Sequence, residues 1–412
     1  MNTKLTRREL QWVCYDIGNS AFILLVSTIL PIYFNSLALS AGLDESTYLS
    51  YWSYATSIST LIVAFAGPVL GTLADFEGNK KKVFLGSAFL GALALACFWL
   101  PGSWLSFLVL YIAGKVCYSL SLVVYDSMLV DVTTPERMDA VSTKGYAWGY
   151  IGSVIPFLIS LVFVLLYDKI GITMHTAMVI TFLLNAAWWA LFTLPLVRGY
   201  RQKSSIKPER HIISDSFSRL AHTLRSVKKH RKIFMFLLSF FFYIDGVYTI
   251  IDMATAYGAS LGLDTTGLLL ALLLTQVVAF PASLIFAVLS KKKDTATLIK
   301  ICILAYFFIA CFAVQLDKLW EFWFLAFCVG CFQGGIQALS RSYFAKIIPE
   351  EQSGEYFGLF DICGKGASFL GLLVVGVVTQ ATGNQSFGVA CITVLFLLGF
   401  FLFSKAARME ND

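Results

Sequence analysis

The sequence predicts an all-α membrane protein of twelve transmembrane helices in two pseudo-symmetric six-helix bundles, with both termini cytoplasmic. Three observations predict it. The 412-residue chain is 58% hydrophobic and only 14% charged, where soluble domains carry about 25% charged residues. Apolar runs long enough to cross a bilayer are centred near residues 25, 62, 91, 117, 155, 185, 244, 276, 305, 332, 368 and 394. Of the 31 Lys and Arg residues, only Lys169 and Lys318 fall in loops on one side, and Lys115 is intramembrane. The rest, Lys80–Lys82 and Lys291–Lys293 among them, fall at or near the other side, which the positive-inside rule makes cytoplasmic.

The first span follows MNTKLTRREL with no cleavage-site pattern, so no removable signal peptide is expected. The second span carries Pro68 in FAGPVLG, and its counterpart in the eighth, Pro281 in VAFPASL, lies 213 residues further on. The fourth span is followed by ThrProGluArg at 134–137 and the tenth by IleProGluGlu at 348–351, an offset of 214. SAGLD at 40–44 and SLGLD at 260–264 end the first and seventh spans at an offset of 220. Three matches in order indicate a duplication. They divide the chain into a first bundle at 1–196, a connection at 197–230 and a second bundle at 231–412. Within the connection, Ile213, Phe217, Leu220, Leu224 and Val227 recur at helical spacing among Arg219, Arg225, Lys228 and Lys229. This pattern suits either a basic amphipathic helix on an anionic membrane surface or a solvated linker helix under the bundle.

The third, sixth, ninth and twelfth spans have no charged residue in their cores, and runs such as CITVLFLLGFFLF suit lipid contact. Polar faces fall instead on the first, fourth, seventh and tenth. The seventh places Asp245, Tyr248, Thr249 and Asp252 on one stripe about 10 Å long. A carboxylate at that depth costs about 2.5–3.5 kcal/mol and is usually functional or paired. The fourth places Lys115, Tyr118 and Ser119 together, the tenth Gln333, Gln337, Ser340 and Arg341, and the first Asp16, Asn19 and Ser20. Polar faces on every third helix of each half require one shared aqueous interior. Asp245, Lys115, Asp252, Tyr118, Tyr248, Gln333, Gln337, Asp16 and Asn19 are therefore the candidates for solute binding or proton handling.

Each candidate has a plainer reading. Lys115 is about as deep as Asp245, and the two could simply neutralise each other. Asp361 and Lys365 are spaced as an intrahelical pair. Gln333 and Gln337 flank Gly334 and Gly335, where the helix could unwind for a ligand or simply glue two helices together. The nine cysteines lie in apolar runs, and Cys328 and Cys331 read as packing rather than a redox or zinc pair. The histidines show no ligand spacing. No metal, cofactor or nucleic acid is expected, and no hydrolase or nucleotide-binding motif points to an enzyme.

GTLADFEGNKKK at 71–82, with Asp75, Gly71 and Gly78, resembles the signature loop of the major facilitator superfamily, G-x-L-x-D-x-x-G-x-[KR]-[KR]. Asn79 stands where that family often has Arg. Six-helix halves are how such transporters are built. The resemblance implies that Asp75 pairs across a cytoplasmic gate, in which Arg341, Asp361 and Lys365 are further candidates. The corresponding loop of the second half, AVLSKKKD, lacks the glycine and the early acid, which leaves it without an evident gate role. YDIGNSAFILLVSTILPIYF at 15–34 and GGIQALSRSYFAKIIPEEQSGEYFGLFDICGKGASFLG at 334–371 resemble the vacuolar-effluxer-like branch of the superfamily, with Ile17 and Gly18 replacing its usual Trp and Ala. That resemblance implies solute efflux, amino acids being proposed for vacuolar members. The expectation is a monomeric carrier of a small polar solute, proton-coupled or facilitative, in membrane lipid. The short loops favour a bacterial cytoplasmic membrane over a vacuolar one. The alternative is a drug or lysolipid exporter on the same fold.

Overall fold

In the computed structural model, residues 4–43, 45–207, 230–260, 262–383 and 385–410 are described. The amphipathic pattern at 213–227 lies outside them. Twelve long helices run in chain order: α1 Arg7–Ser40, α2 Glu45–Asp75, α3 Lys80–Ala96, α4 Trp104–Ser127, α5 Met138–Ile170 and α6 Met174–Gly199. The second set is α7 Arg231–Ser260, α8 Thr265–Leu289, α9 Thr295–Ala313, α10 Leu319–Ile347, α11 Ser353–Thr382 and α12 Gln385–Ala406. Among the described residues, eleven helices are long and apolar enough to cross a membrane, and α3, at 17 residues, is the shortest of the twelve.

Local chemistry sets the ends. Thr6 and Glu9 form a reciprocal cap at the start of α1, and Asp264 and Asp294 accept backbone N–H groups at the starts of α8 and α9. The turn after α2 needs Gly78, whose φ of +73° is strained for any residue with a Cβ. Large apolar side chains remain exposed on α3, α6, α9 and α12, among them Leu90, Leu191, Phe308 and Phe401, as expected of lipid-facing helices. Parts of α2 and α5 share that belt, with Phe65 and Leu165 exposed.

Inside the first half, Trp12 stacks on Tyr125 at 4.4 Å, and Tyr15 donates to or accepts from Ser121 at 2.5 Å. The second half repeats the theme with Phe240 stacked on Phe360 at 4.1 Å, and with Tyr243 and Ser340 at 2.6 Å. The halves meet along two seams: α2 lies along α11, and α5 lies along α8 and α10. Small residues bring the first seam together. A Cβ on Gly71 would sit 2.1 Å from the Gly354 carbonyl oxygen, and one on Gly358 would sit 2.5 Å from Pro68 Cα. Gly71→Ala is therefore expected to force α2 and α11 apart. Amide exchange at Gly354 reports it, and unchanged protection there would contradict the close approach.

Candidate functional site

The seams carry a set of polar bridges, and these cluster at the end of the bundle that holds Lys80–Lys82. Asp75, the last residue of α2, accepts hydrogen bonds from the Gly354 and Glu355 backbone N–H groups at 2.8 and 2.9 Å. The carboxylate of one half thus caps the first turn of α11 in the other, where free N–H groups and the helix dipole favour an anion. Lys80, fully buried, lies 3.3 Å from Asp75 and 3.7 Å from Asp131, and donates to Ser353 Oγ at 2.8 Å. It supplies the cation that Asn79 does not.

A second bridge joins α5 to α9 and α10. Asp139 receives Lys346 Nζ, Ser342 Oγ and Thr295 Oγ1, each at 2.6 Å. The acid that bridges the halves there comes from the first turn of α5 and not from the 287–294 loop.

Between the two bridges sits Arg341. Its guanidinium reaches Asp126 on α4 at 2.9 Å, Asp16 on α1 at 3.4 Å and Ser142 Oγ on α5 at 2.9 Å. It lies 4.5 Å from the Tyr146 ring and 4.6 Å from the Trp12 ring, within cation–π range of both. Asp16 is thereby committed to an ion pair across the halves. Asn19, expected beside it as a binding residue, donates to Tyr15 O at 3.0 Å in its own helix.

Above Arg341, toward the opposite end, lie polar side chains of α4, α7 and α11. Asp252 is exposed, and Lys115 and Tyr248 are half-buried. Lys115 lies within electrostatic range of both Asp252 and Lys365, and Tyr248 of Asp361, Asp126 and Asp252. Lys365 pairs with Asp361 at 2.6 Å one turn away, the intrahelical geometry their spacing predicts. These groups from α4, α7 and α11 line the interior with both signs of charge.

Several candidates lie elsewhere. Asp245 does not meet Lys115. It is fully buried against α11, where Oδ1 accepts from the Gly371 N–H at 2.9 Å and from Thr249 at 3.3 Å, while Oδ2 has no partner among the described residues. Tyr118 is buried in the first half, stacked on Phe22 at 4.7 Å. The helix does not unwind at Gly334 and Gly335. There α10 is continuous, and the two glycines receive Ser283 and Phe286 of α8. Gln333 is buried and Gln337 half-buried beside them. Asp126, Asp139 and Lys346 were not among the candidates. Asp126 had a signal, since it lies 11 residues from Lys115 and hence on the same face three turns on.

A family model described as "Vacuole effluxer Atg22 like" matches residues 5–136 and 130–410. The chain is a major facilitator transporter of the Atg22-like family. A Bacillus subtilis protein named "Uncharacterized MFS-type transporter YxiO" is 41% identical over 425 residues, covering 100% of this chain and 99% of that one. "Autophagy-related protein 22-2" of Aspergillus niger is 23% identical and covers 87% of this chain and 75% of its own length. Among solved structures, the human organic anion transporter MFSD10 superposes with a TM-score of 0.75 at 15% identity, covering 97% of this chain and 100% of that one. FucP in its outward conformation gives 0.71 at 14% identity, covering 97% and 98%. At such identities the two structures speak for the fold.

Proposed function

We propose that this Atg22-like protein carries small zwitterionic solutes, amino acids foremost, by rocking its halves, at 1–196 and 231–412, about the interior lined by Lys115, Asp252 and Lys365. The observation that carries the reading is the distribution of charge there. A cation from each half and a carboxylate on α7 lie within electrostatic range of one another, and none of the three is fully buried. A zwitterion among them meets both signs, and its loss of hydration is offset only when both ends find partners. Counterflow of radiolabelled amino acids into proteoliposomes tests the proposal. Lys115→Gln and Lys365→Gln are each expected to weaken half-saturation about tenfold, the effect of losing one charge-assisted contact of about 1.4 kcal/mol. Amino-acid flux unaffected by both variants contradicts it.

The distribution of Lys and Arg supports a cytoplasmic basic end, and with that end closed the proposed state is an outward-open carrier, in a cell membrane. Asp245 is the proposed proton carrier. It is fully buried with Oδ2 unpartnered and forms no ion pair among the described residues, so a charge left there has little to offset its loss of hydration. Asp245→Asn keeps the shape and removes the proton site. Exchange of solute is expected to survive in it while accumulation driven by a pH gradient disappears. Retained pH-driven accumulation removes Asp245 from the coupling.

A further inference from the structure

The connection between the halves begins at Tyr200 with a segment that the transport reading does not use. Residues 200–206 leave α6 and run back over the gate turn that follows α2. Ile206 pairs with Phe76 in a parallel bridge: its N–H donates to Asp75 O at 3.0 Å, and its carbonyl accepts from Glu77 N–H at 3.0 Å. Gln202 holds the same turn by its side chain. Its Nε2 reaches the Ala74 and Asp75 carbonyls at 3.3 Å each, and its Oε1 accepts from Lys80 N–H at 3.4 Å. The far side of the segment is tied to the end of α4, where Asp131 accepts from the Lys203 and Ser204 N–H groups at 3.0 Å each and from the Tyr200 hydroxyl. Ser204 Oγ also donates to Glu350 at 3.3 Å, on the approach to α11.

Asp75 and Lys80, whose side chains cap and bridge to α11, are thus among the residues whose backbone groups the segment fixes, together with Ala74 and Glu77. A turn held on one face presents its carboxylate to Gly354 and Glu355 without first losing conformational freedom. We infer that residues 200–206 form a strap that sets the gate turn for closure, with Gln202 as its positioning residue. The chain continues from the strap to α7 of the other half, so the strap lies on the covalent path that joins the moving bodies. Closure at the basic end is favoured while the strap is seated, and its release favours opening there.

Hydrogen exchange on the full-length protein in liposomes tests this without any solute, so the outcome does not depend on what is carried. The Gly354 and Glu355 amides donate directly to Asp75 and report the gate. In Gln202→Ala their exchange is expected to rise about tenfold, as follows from losing two or three partly exposed hydrogen bonds. Peptides covering 138–146, which the strap does not touch, are expected to rise with them as the halves part. Ile206→Pro removes one backbone donor and gives the same pattern from a second site. Faster exchange confined to 200–207 in both variants overturns the strap, because the segment is then only a local ornament of the turn. A uniform rise across all helices overturns it as well, since that is loss of stability rather than opening.

Discussion

Arg341→Ala is expected to abolish concentrative transport and to drive the resting protein toward the state open at the basic end. The side chain is buried and serves Asp126 at 2.9 Å, Asp16 at 3.4 Å and Ser142 at 2.9 Å, so its removal leaves two carboxylates without their cation. Breaking a buried pair in this way costs about 3–5 kcal/mol, far more than the intact pair contributes. The cost falls on the closed gate alone, because the acids regain water when the halves part. An equilibrium moved by even the lower figure changes more than a hundredfold. Arg341→Lys keeps the charge but not the fork that reaches α1, α4 and α5 together, and its expected effect is intermediate. Distance measurements between labelled halves and counterflow rates check both variants. Normal flux in Arg341→Ala contradicts the lock.

Asp75→Asn is the second large effect. The carboxylate accepts two backbone N–H groups of α11 and neighbours the fully buried Lys80. An amide replaces one acceptor oxygen with a donor that faces the same N–H groups, and it leaves Lys80 with Asp131 as its remaining carboxylate. Hydrogen bonds to charged groups are worth about 1.5–3 kcal/mol, so closure is expected to weaken by at least tenfold. Exchange of the Glu355 amide measures it directly, and protection equal to the unaltered protein refutes the cap.

Much of this was legible in the sequence, and the reason is periodicity. Twelve apolar runs of bilayer length set the number of long helices, and the uncharged cores of α3, α6, α9 and α12 marked helices that carry exposed apolar faces. Asp75 was legible because its loop carries a turn glycine and basic residues at fixed offsets. The Asp361–Lys365 pair was legible because one helical turn separates the two residues. What pattern could not reveal is rotation about each helix axis. Asp245 and Asp252 share a stripe on α7, yet one meets the backbone of α11 and the other is exposed, since the stripe is wide enough to straddle the edge of a helix contact. The choice was made by Gly371, which lets the carboxylate approach: a Cβ there would lie 2.4 Å from Asp245 Oδ1. Asp139 and Lys346 were missed for a related reason. Each looks like an ordinary charge at a helix end, and only the crossing of α5 with α10 turns them into a lock.

The central claim is that the halves are held together at the basic end and part there as the opposite end closes. Paired spin labels test it most directly, one pair at Leu43 and Leu263 on the opposite end and one at Lys81 and Glu351 on the basic end. The account predicts a long separation for the first pair and a short one for the second, with the order reversed in Arg341→Ala. Two distances that do not change between the unaltered protein and that variant contradict it.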